Sequence, residues 1–411
     1  MTKSELARAA ASAVKSAKVF DIHTHLFAPE FGGLALWGID ELLTYHYLVC
    51  EAFLHAPMPY EKYWAMPKPK QAEYIWDTLF EKHTPVSEAT RGVVTTLKTL
   101  GFDPRTVTFK QLRKHFASTT IEEYTDTVFK KANLEAVVMT NDVLDTEEQS
   151  AWATLTGHDP RFLAAMRVDG LLNNWPAAAT QLSKAGYKVK AKPDAATCKE
   201  VGRFLAGEAD KMSPIYMAAS FPPTFAYPER SDRGTLIDKC ILPFSRERQL
   251  PFAMMIGVKR EMNPPLRMAG DGSAKADIEA LQHLCARNPD NKFLVTYLAR
   301  ENQHELCVAA RKFHNLMVFG CWWFLNVPSQ IAEITTMRLE LLGTRFIPQH
   351  SDARVLDQLI YKWDHSRTVI ADALTQKYAA LMGSGWKLTK TEIRRDTDAL
   401  FGGNFKSFVG L

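Results

Sequence analysis

Two histidines separated by one residue, His23 and His25, stand in the run VFDIHTH (19–25). In a strand, side chains alternate faces, so both imidazoles point the same way with Cα atoms roughly 6.6 Å apart, a spacing at which they can share one metal ion. Far along the chain, IPQHSDAR carries a second such pair, His350 and Asp352. Two imidazoles and a carboxylate supply three protein ligands and leave a position for water or substrate, the pattern of a catalytic rather than a structural divalent ion. His350 competes for the third place. Asp352 is favoured because it lies nearer the end of its run, which leaves His350 as a supporting group behind the ligands.

Arginines form a second theme. Arg167 closes FLAAMRVD, Arg300 follows FLVTYL, and Arg354 lies two residues beyond Asp352. A guanidinium at a strand end presents a planar fork to a carboxylate or a polarised hydroxyl, so three of them point to a small anionic substrate. His46 and Tyr47, within ELLTYHYLVCEAF, fit a helix with one ring packed and the other toward solvent. Trp322 and Trp323 fit either a core pair or the wall of a sugar pocket, and SFPPTF (220–225) reads as a rigid loop.

For His25 and Asp352 to meet, the elements carrying them must be neighbours. Eight short runs rich in Val, Ile, Met and Phe read as strands: 19–25, 136–142, 162–169, 215–220, 252–257, 293–298, 316–322 and 346–352. Several are almost continuously apolar, as expected of strands covered on both faces in a parallel sheet. Helical patterns lie between them, such as PSQIAEITTMRLELLG, with Pro328 near its start and Gly343 placed to end it. Eight alternating units favour an α/β fold of the (β/α)8 TIM-barrel type, in which the last strand closes against the first.

One stretch breaks that rhythm. Between the first and second strands, residues 27–133 carry helical patterns such as KQAEYIWDTLFEKH and form a helical insertion on the C-terminal face. The 411 residues, which on length alone suggest two or three domains, then divide into an N-terminal helix (1–17) and one barrel domain (18–411) that includes the insertion.

The charge balance, 50 basic against 46 acidic residues, leaves only +4 and argues for neither nucleic acid nor an anionic membrane as partner. The six Cys are scattered and form no CxxC pair, which fits a reducing compartment. No apolar run approaches the roughly 20 residues of a membrane helix, and the Ala-rich, Lys- and Arg-dotted start lacks a signal-peptide core, so the expected location is the cytoplasm. Homo-oligomerisation is left open.

Taken in order, HTHLF, LLTYHYLVCEAF, AAMRVD, ENQHEL, FGCWWF and HSDAR resemble the uronate isomerase (glucuronate isomerase) family of the amidohydrolase superfamily, in a short, divergent branch. The likeness runs from about Val19 to the C-terminus. It implies interconversion of D-glucuronate and D-fructuronate, with D-galacturonate and D-tagaturonate as a second pair, by ring opening and proton transfer from C2 to C1 through an enediol. It further implies a zinc held by His23, His25 and Asp352, a substrate-carboxylate arginine at Arg167, an arginine beside the C2 hydroxyl at Arg354, and His46 and Tyr47 in the insertion. Asp352 and His46 then serve ring opening and Tyr47 the C2 proton, which requires a stabilised phenolate because a free phenol titrates near pH 10. Strands four to six end in AAS, MMIG and TYL, without the lysine and histidines of binuclear relatives. The alternative function is a mononuclear metal-dependent hydrolase of the same superfamily acting on an acidic amide or lactone; a sugar-acid binding protein without turnover is a third reading.

Overall fold

The computed structural model describes all 411 residues. Nine strands occur in chain order: β1 (Val19–Thr24), β2 (Leu134–Asp142), β3 (Phe162–Arg167), β4 (Met217–Phe221), β5 (Phe252–Ile256), β6 (Val258–Lys259), β7 (Gly272–Ser273), β8 (Phe293–Tyr297) and β9 (Leu316–Val318). Seven of them form one all-parallel sheet in the order β1-β2-β3-β4-β5-β8-β9, while β6 and β7 make a small antiparallel hairpin. Helices fill the connections, and their apolar faces pack on the outer side of the sheet, as parallel strands require.

Side-chain alternation separates two cores. Val137, Met139, Met217, Phe252, Met254, Phe293 and Val295 point outward into the large layer beneath the helices. Phe20, Ile22, Val138, Ala165, Ala218, Met255, Leu294 and Met317 point inward and fill the barrel with Phe319, Ile347 and Phe405. Small residues at several inward positions leave room for the large rings.

The expected eighth strand, 346–352, is the point of difference. It contributes one parallel bridge, Phe319 to Ile347, instead of a ladder. Pro348 has no N–H to donate, and Asp352 takes a left-handed backbone at φ 52°, so regular pairing stops between them. The segment is nonetheless hydrogen-bonded on both sides. Ile347 N donates to Val318 O at 3.0 Å, and on the β1 side Asp352 N donates to His23 O at 3.2 Å and His25 N to Ala353 O at 2.7 Å. Asp21 adds side-chain bonds, accepting from Ser351 N at 3.1 Å and from Trp363 Nε1 at 2.8 Å. These contacts close the barrel and seat the segment against β1.

Between β1 and β2 the chain is helical, with helices Ile39–Leu43, His46–His55, Tyr60–Trp64, Lys68–Trp76, Glu88–Thr99, Phe109–Ala117 and Ile121–Ala132. Thr108 and Thr120 start the last two with reciprocal side-chain caps to Gln111 and Glu123. Buried Asp357 fastens the insertion to the barrel by accepting from Gly38 N at 2.8 Å and Tyr124 Oη at 2.6 Å. The N-terminal helix Lys3–Ser16 packs against the long helix Gln358–Gly383. No helix is long and apolar enough to cross a membrane.

Candidate active site

His23 reaches the barrel interior through a β-bulge. The β1–β2 register runs from Asp21 opposite Val137 to Thr24 opposite Met139, so β1 holds one extra residue. Ile22 therefore faces the interior core while the next residue, His23, also turns inward, against Tyr216 and Phe319. His25, two residues on, follows the same direction beyond the strand end.

The hydrogen bonds fix both imidazole tautomers. His23 Nδ1 lies 3.1 Å from Tyr216 Oη, whose own hydrogen goes to Ile22 O at 2.7 Å. His25 Nδ1 lies 3.1 Å from Thr140 Oγ1, whose hydrogen goes to Thr24 O at 2.9 Å. A hydroxyl has one hydrogen, so each must accept from its histidine, and both Nδ1 atoms carry protons. Each Nε2 is left as a lone pair. They face Asp352 Oδ1 at 4.0 Å from His23 and 3.5 Å from His25. His23 Nε2 and Asp352 Oδ1 are buried without a hydrogen-bond partner.

These pairs are not ion pairs, because burial, followed by the neighbouring His25, pushes His23 down to about 3. Burial and the Arg354 charge likewise hold His25 well below the usual imidazole range. Two imidazole lone pairs and a carboxylate oxygen thus lie within 4.8 Å of one another. That arrangement is repulsive alone and complementary to a divalent cation. The residues fit a metal, and no other cluster of His, Cys, Asp or Glu in the chain has this convergence.

His350 is fully buried beneath this cluster, its ring centroid 5.5 Å from that of His23, and neither ring nitrogen has a partner. It stands outside the converging group. Gly320, at φ 64°, makes room for it: a Cβ there would lie 1.7 Å from His350 Nδ1.

A cavity of about 280 Å³ opens beside the three donors. Of the residues expected from sequence, it is lined by His23, His25, His46, Arg167, Trp322, Trp323, Asp352 and Arg354. Arg167 is oriented by Asp169, with Nε at 3.1 Å from Oδ2 and Nη2 at 3.0 Å from Oδ1. Burial works against its charge, yet Asp169, Asp142 and Glu148 hold it firmly protonated. Burial pushes Arg354 down and His46 well below the usual imidazole range, so His46 is neutral.

Two expected residues lie elsewhere. Arg300 is outside the cavity because β8 ends at Tyr297 and the chain turns outward through Arg300–Asn302; its exposed guanidinium pairs with Glu333 at 2.8 Å. Tyr47 lines an adjoining cavity of about 480 Å³, with Phe324, Lys362 and the shared Trp323. Its hydroxyl is sealed without a partner, and burial, then Tyr45 and Asp352, raises the phenol well above 10. Arg354 acts on Tyr45 rather than heading the charges on Tyr47.

Sequence reading missed Tyr45, Asp169, Arg260 and Met268 in the lining, and Thr140 and Tyr216 behind the histidines. Arg260 and Met268 come from the segment around the hairpin β6–β7, whose two-residue strands are too short for a periodic signal. Thr140 and Tyr216 do lie within or beside predicted strands. Their partners, however, follow only from strand register.

No protein-family model and no curated protein matches the chain. Among solved structures, it is similar to an uronate isomerase from Bacillus halodurans C-125, with 51% identity and a TM-score of 0.98 over 100% of this chain and 97% of that one. Two distant structures share the fold. An uronate isomerase from Thermotoga maritima is 14% identical, with a TM-score of 0.77 over 98% of this chain and 97% of that one. A glucuronate isomerase from Caulobacter crescentus is 15% identical, with a TM-score of 0.78 over 99% and 94%.

Proposed function

The chain belongs to the uronate isomerase family and is an isomerase, and from that premise we propose that it is a zinc-dependent enzyme converting D-glucuronate to D-fructuronate and D-galacturonate to D-tagaturonate. The observation that carries the reading is the convergence of two imidazole lone pairs and one carboxylate at a cavity lined with guanidinium groups. A hexuronate offers the matching chemistry, with hydroxyl or carbonyl oxygens for the metal end and a carboxylate for an arginine. The nitrogen and oxygen donor set of His23, His25 and Asp352 suits zinc, which when bound would polarise a substrate oxygen and offset the enediolate charge.

The protein's own residues divide the remaining work. Arg167 receives the substrate carboxylate; Asp169 holds its Nε and Nη2, leaving Nη1 without a protein partner. Opening the pyranose ring removes the anomeric hydroxyl proton, breaks the C1–O5 bond and protonates O5. Asp352 accepts the anomeric proton and passes it to O5, while neutral His46 hydrogen-bonds the ring oxygen, so that both residues end as they began, each beside the cavity. Isomerisation then moves the C2 proton to C1. Tyr47 carries that proton as a phenolate, a state that burial opposes and that the positive charge of a bound metal would favour, and Arg354 sits beside the C2 oxygen as its negative charge develops. Trp322 and Trp323 wall the cavity and exclude water.

The test is incubation of metal-replete protein with D-glucuronate and with D-galacturonate in D₂O, followed by NMR. The expected outcome is the matching ketose with deuterium entering at C1 and, on reversal, at C2. Neither ketose nor exchange with either sugar would overturn the reading; release of an acid from a lactone instead would favour the hydrolase.

A further inference from the structure

Three guanidinium groups line the cavity, those of Arg167, Arg354 and Arg260. Arg167 ends β3 and Arg354 follows the segment that closes the barrel, whereas Arg260 arrives on the connection between β5 and β8, directly after β6. It fills the third arginine place at the mouth, from which Arg300 is turned away. Its charge is felt at His25, the more exposed of the two histidines, and at Arg354, which sets it at the outer end of the cavity.

The connection is built to hold that side chain in place. Asp271, whose carboxylate is buried, accepts from Glu261 N at 2.9 Å and from Arg260 Nη1. Asn263 N donates to Gly270 O at 3.0 Å and tightens the turn between them; a Cβ at Gly270 would lie 1.9 Å from Asn263 O, so only glycine fits. The turn is fastened to the insertion helix Tyr60–Trp64. Trp64 Nε1 donates to Pro265 O at 2.9 Å, Asn263 Nδ2 donates to Tyr60 Oη at 3.2 Å, and the Arg267 guanidinium lies 4.5 Å from the Trp64 ring centroid. Arg260 thus stands on an anchored rim. Its Nη1 is taken by Asp271, while Nε and Nη2 have no protein partner. A long side chain already held at one nitrogen loses less freedom on binding, and a charge at the rim of a site chiefly promotes capture of the opposite charge.

We propose that Arg260 is a substrate-binding residue at the cavity mouth: its unpartnered N–H groups donate to an oxygen of the hexuronate, and its charge draws the anion in. It takes no part in moving protons. The assignment rests on the isomerase reading for the identity of the anion.

The experiment compares wild type, Arg260→Met and Arg260→Lys, all metal-replete, in steady-state conversion of D-glucuronate at low and high salt. In Arg260→Met, KM is expected to rise about tenfold with kcat within about threefold of wild type, the scale of one lost charge-assisted hydrogen bond. Its kcat/KM should also fall less steeply with salt. Arg260→Lys keeps the charge, so it should recover the salt dependence and only part of KM. A KM for Arg260→Met within twofold of wild type, or a loss carried by kcat, overturns the proposal. So does a lower thermal midpoint with KM unchanged, the result if the pair with Asp271 served the fold alone. The side chain is 59% exposed, so the fold should tolerate its loss; Arg260→Gln replaces the Met variant should that one not fold. Wild-type protein that turns over no hexuronate refutes the substrate reading alone. Binding of D-gluconate, an unreactive six-carbon acid, then decides: about tenfold weaker binding by Arg260→Met supports the proposal, and equal binding, or none by either protein, overturns it.

Discussion

The hydroxyl of Tyr216 takes the Nδ1 hydrogen of His23 at 3.1 Å while giving its own to Ile22 O at 2.7 Å, so His23 can turn only a lone pair toward Asp352. Thr140 does the same for His25. The two hydroxyls come from β2 and from the residue just before β4, and they set a ligand geometry that β1 alone leaves free.

Removing either hydroxyl frees one imidazole to rotate or change tautomer. Tyr216→Phe and Thr140→Val are each expected to weaken metal binding by about 10- to 100-fold, read as metal retained against a competing chelator. Thr140→Ser keeps the hydroxyl and should restore affinity. Unchanged retention in both deletion variants would show that barrel packing alone orients the histidines.

Tyr47 and the metal donors are separable by substitution. Tyr47→Phe leaves His23, His25 and Asp352 untouched, so metal content should match wild type while turnover falls by about 10²- to 10⁴-fold, the range for loss of a general base. Asp352→Asn should lower both, because it removes the carboxylate charge from the converging donors. Near-normal activity in Tyr47→Phe would assign the C2 proton to another group.

What the sequence made legible was the repeating part of the fold and the donors at strand ends. Apolar runs bounded by polar residues located the seven sheet strands, and parity placed His23 and His25 on one face. The bulge that turns His23 inward has no sequence mark, because an extra residue in β1 is defined only by its pairing with β2. The same holds for Tyr216 and Thr140, which become partners of the histidines through register. Segment 346–352 has a strand's composition, but Pro348 and left-handed Asp352 break the ladder that composition alone suggested. Arg300 was a reasonable strand-end arginine until the turn after β8 carried it outward.

Arg300 gives a sharp contrast with Arg354. Its guanidinium is exposed and held by Glu333, whereas that of Arg354 is free at the cavity. Arg300→Met is expected to leave KM and kcat for a hexuronate within twofold of wild type, with stability nearly unchanged as for other exposed pairs. Arg354→Met should cost at least 100-fold in kcat/KM, the scale set by losing a donor to a developing oxyanion. Steady-state kinetics on the two variants side by side check this, and a large effect at Arg300 would mean that its turn closes over the substrate.

Glu148 predicts how stability depends on pH. Burial raises its carboxyl to about 7, against the opposing pull of its hydrogen bond from Asn141. Its Oε2 accepts from Asn141 Nδ2 at 3.2 Å and Asp142 N at 3.0 Å, contacts a neutral side chain can keep. Because the folded value lies above the ordinary carboxyl value of about 4.5, the native state holds an extra proton between pH 4.5 and about 7. This group's stabilising contribution is therefore complete below that window and lost as pH rises through it, on the order of 3 kcal/mol at most from the size of the shift. Glu148→Gln removes the titration while retaining an acceptor oxygen. Denaturant unfolding at several pH values should show the variant's stability varying less than wild type across the window and exceeding it at pH 8. Parallel profiles for the two proteins would mean that Glu148 is already ionised in the native state well below pH 7.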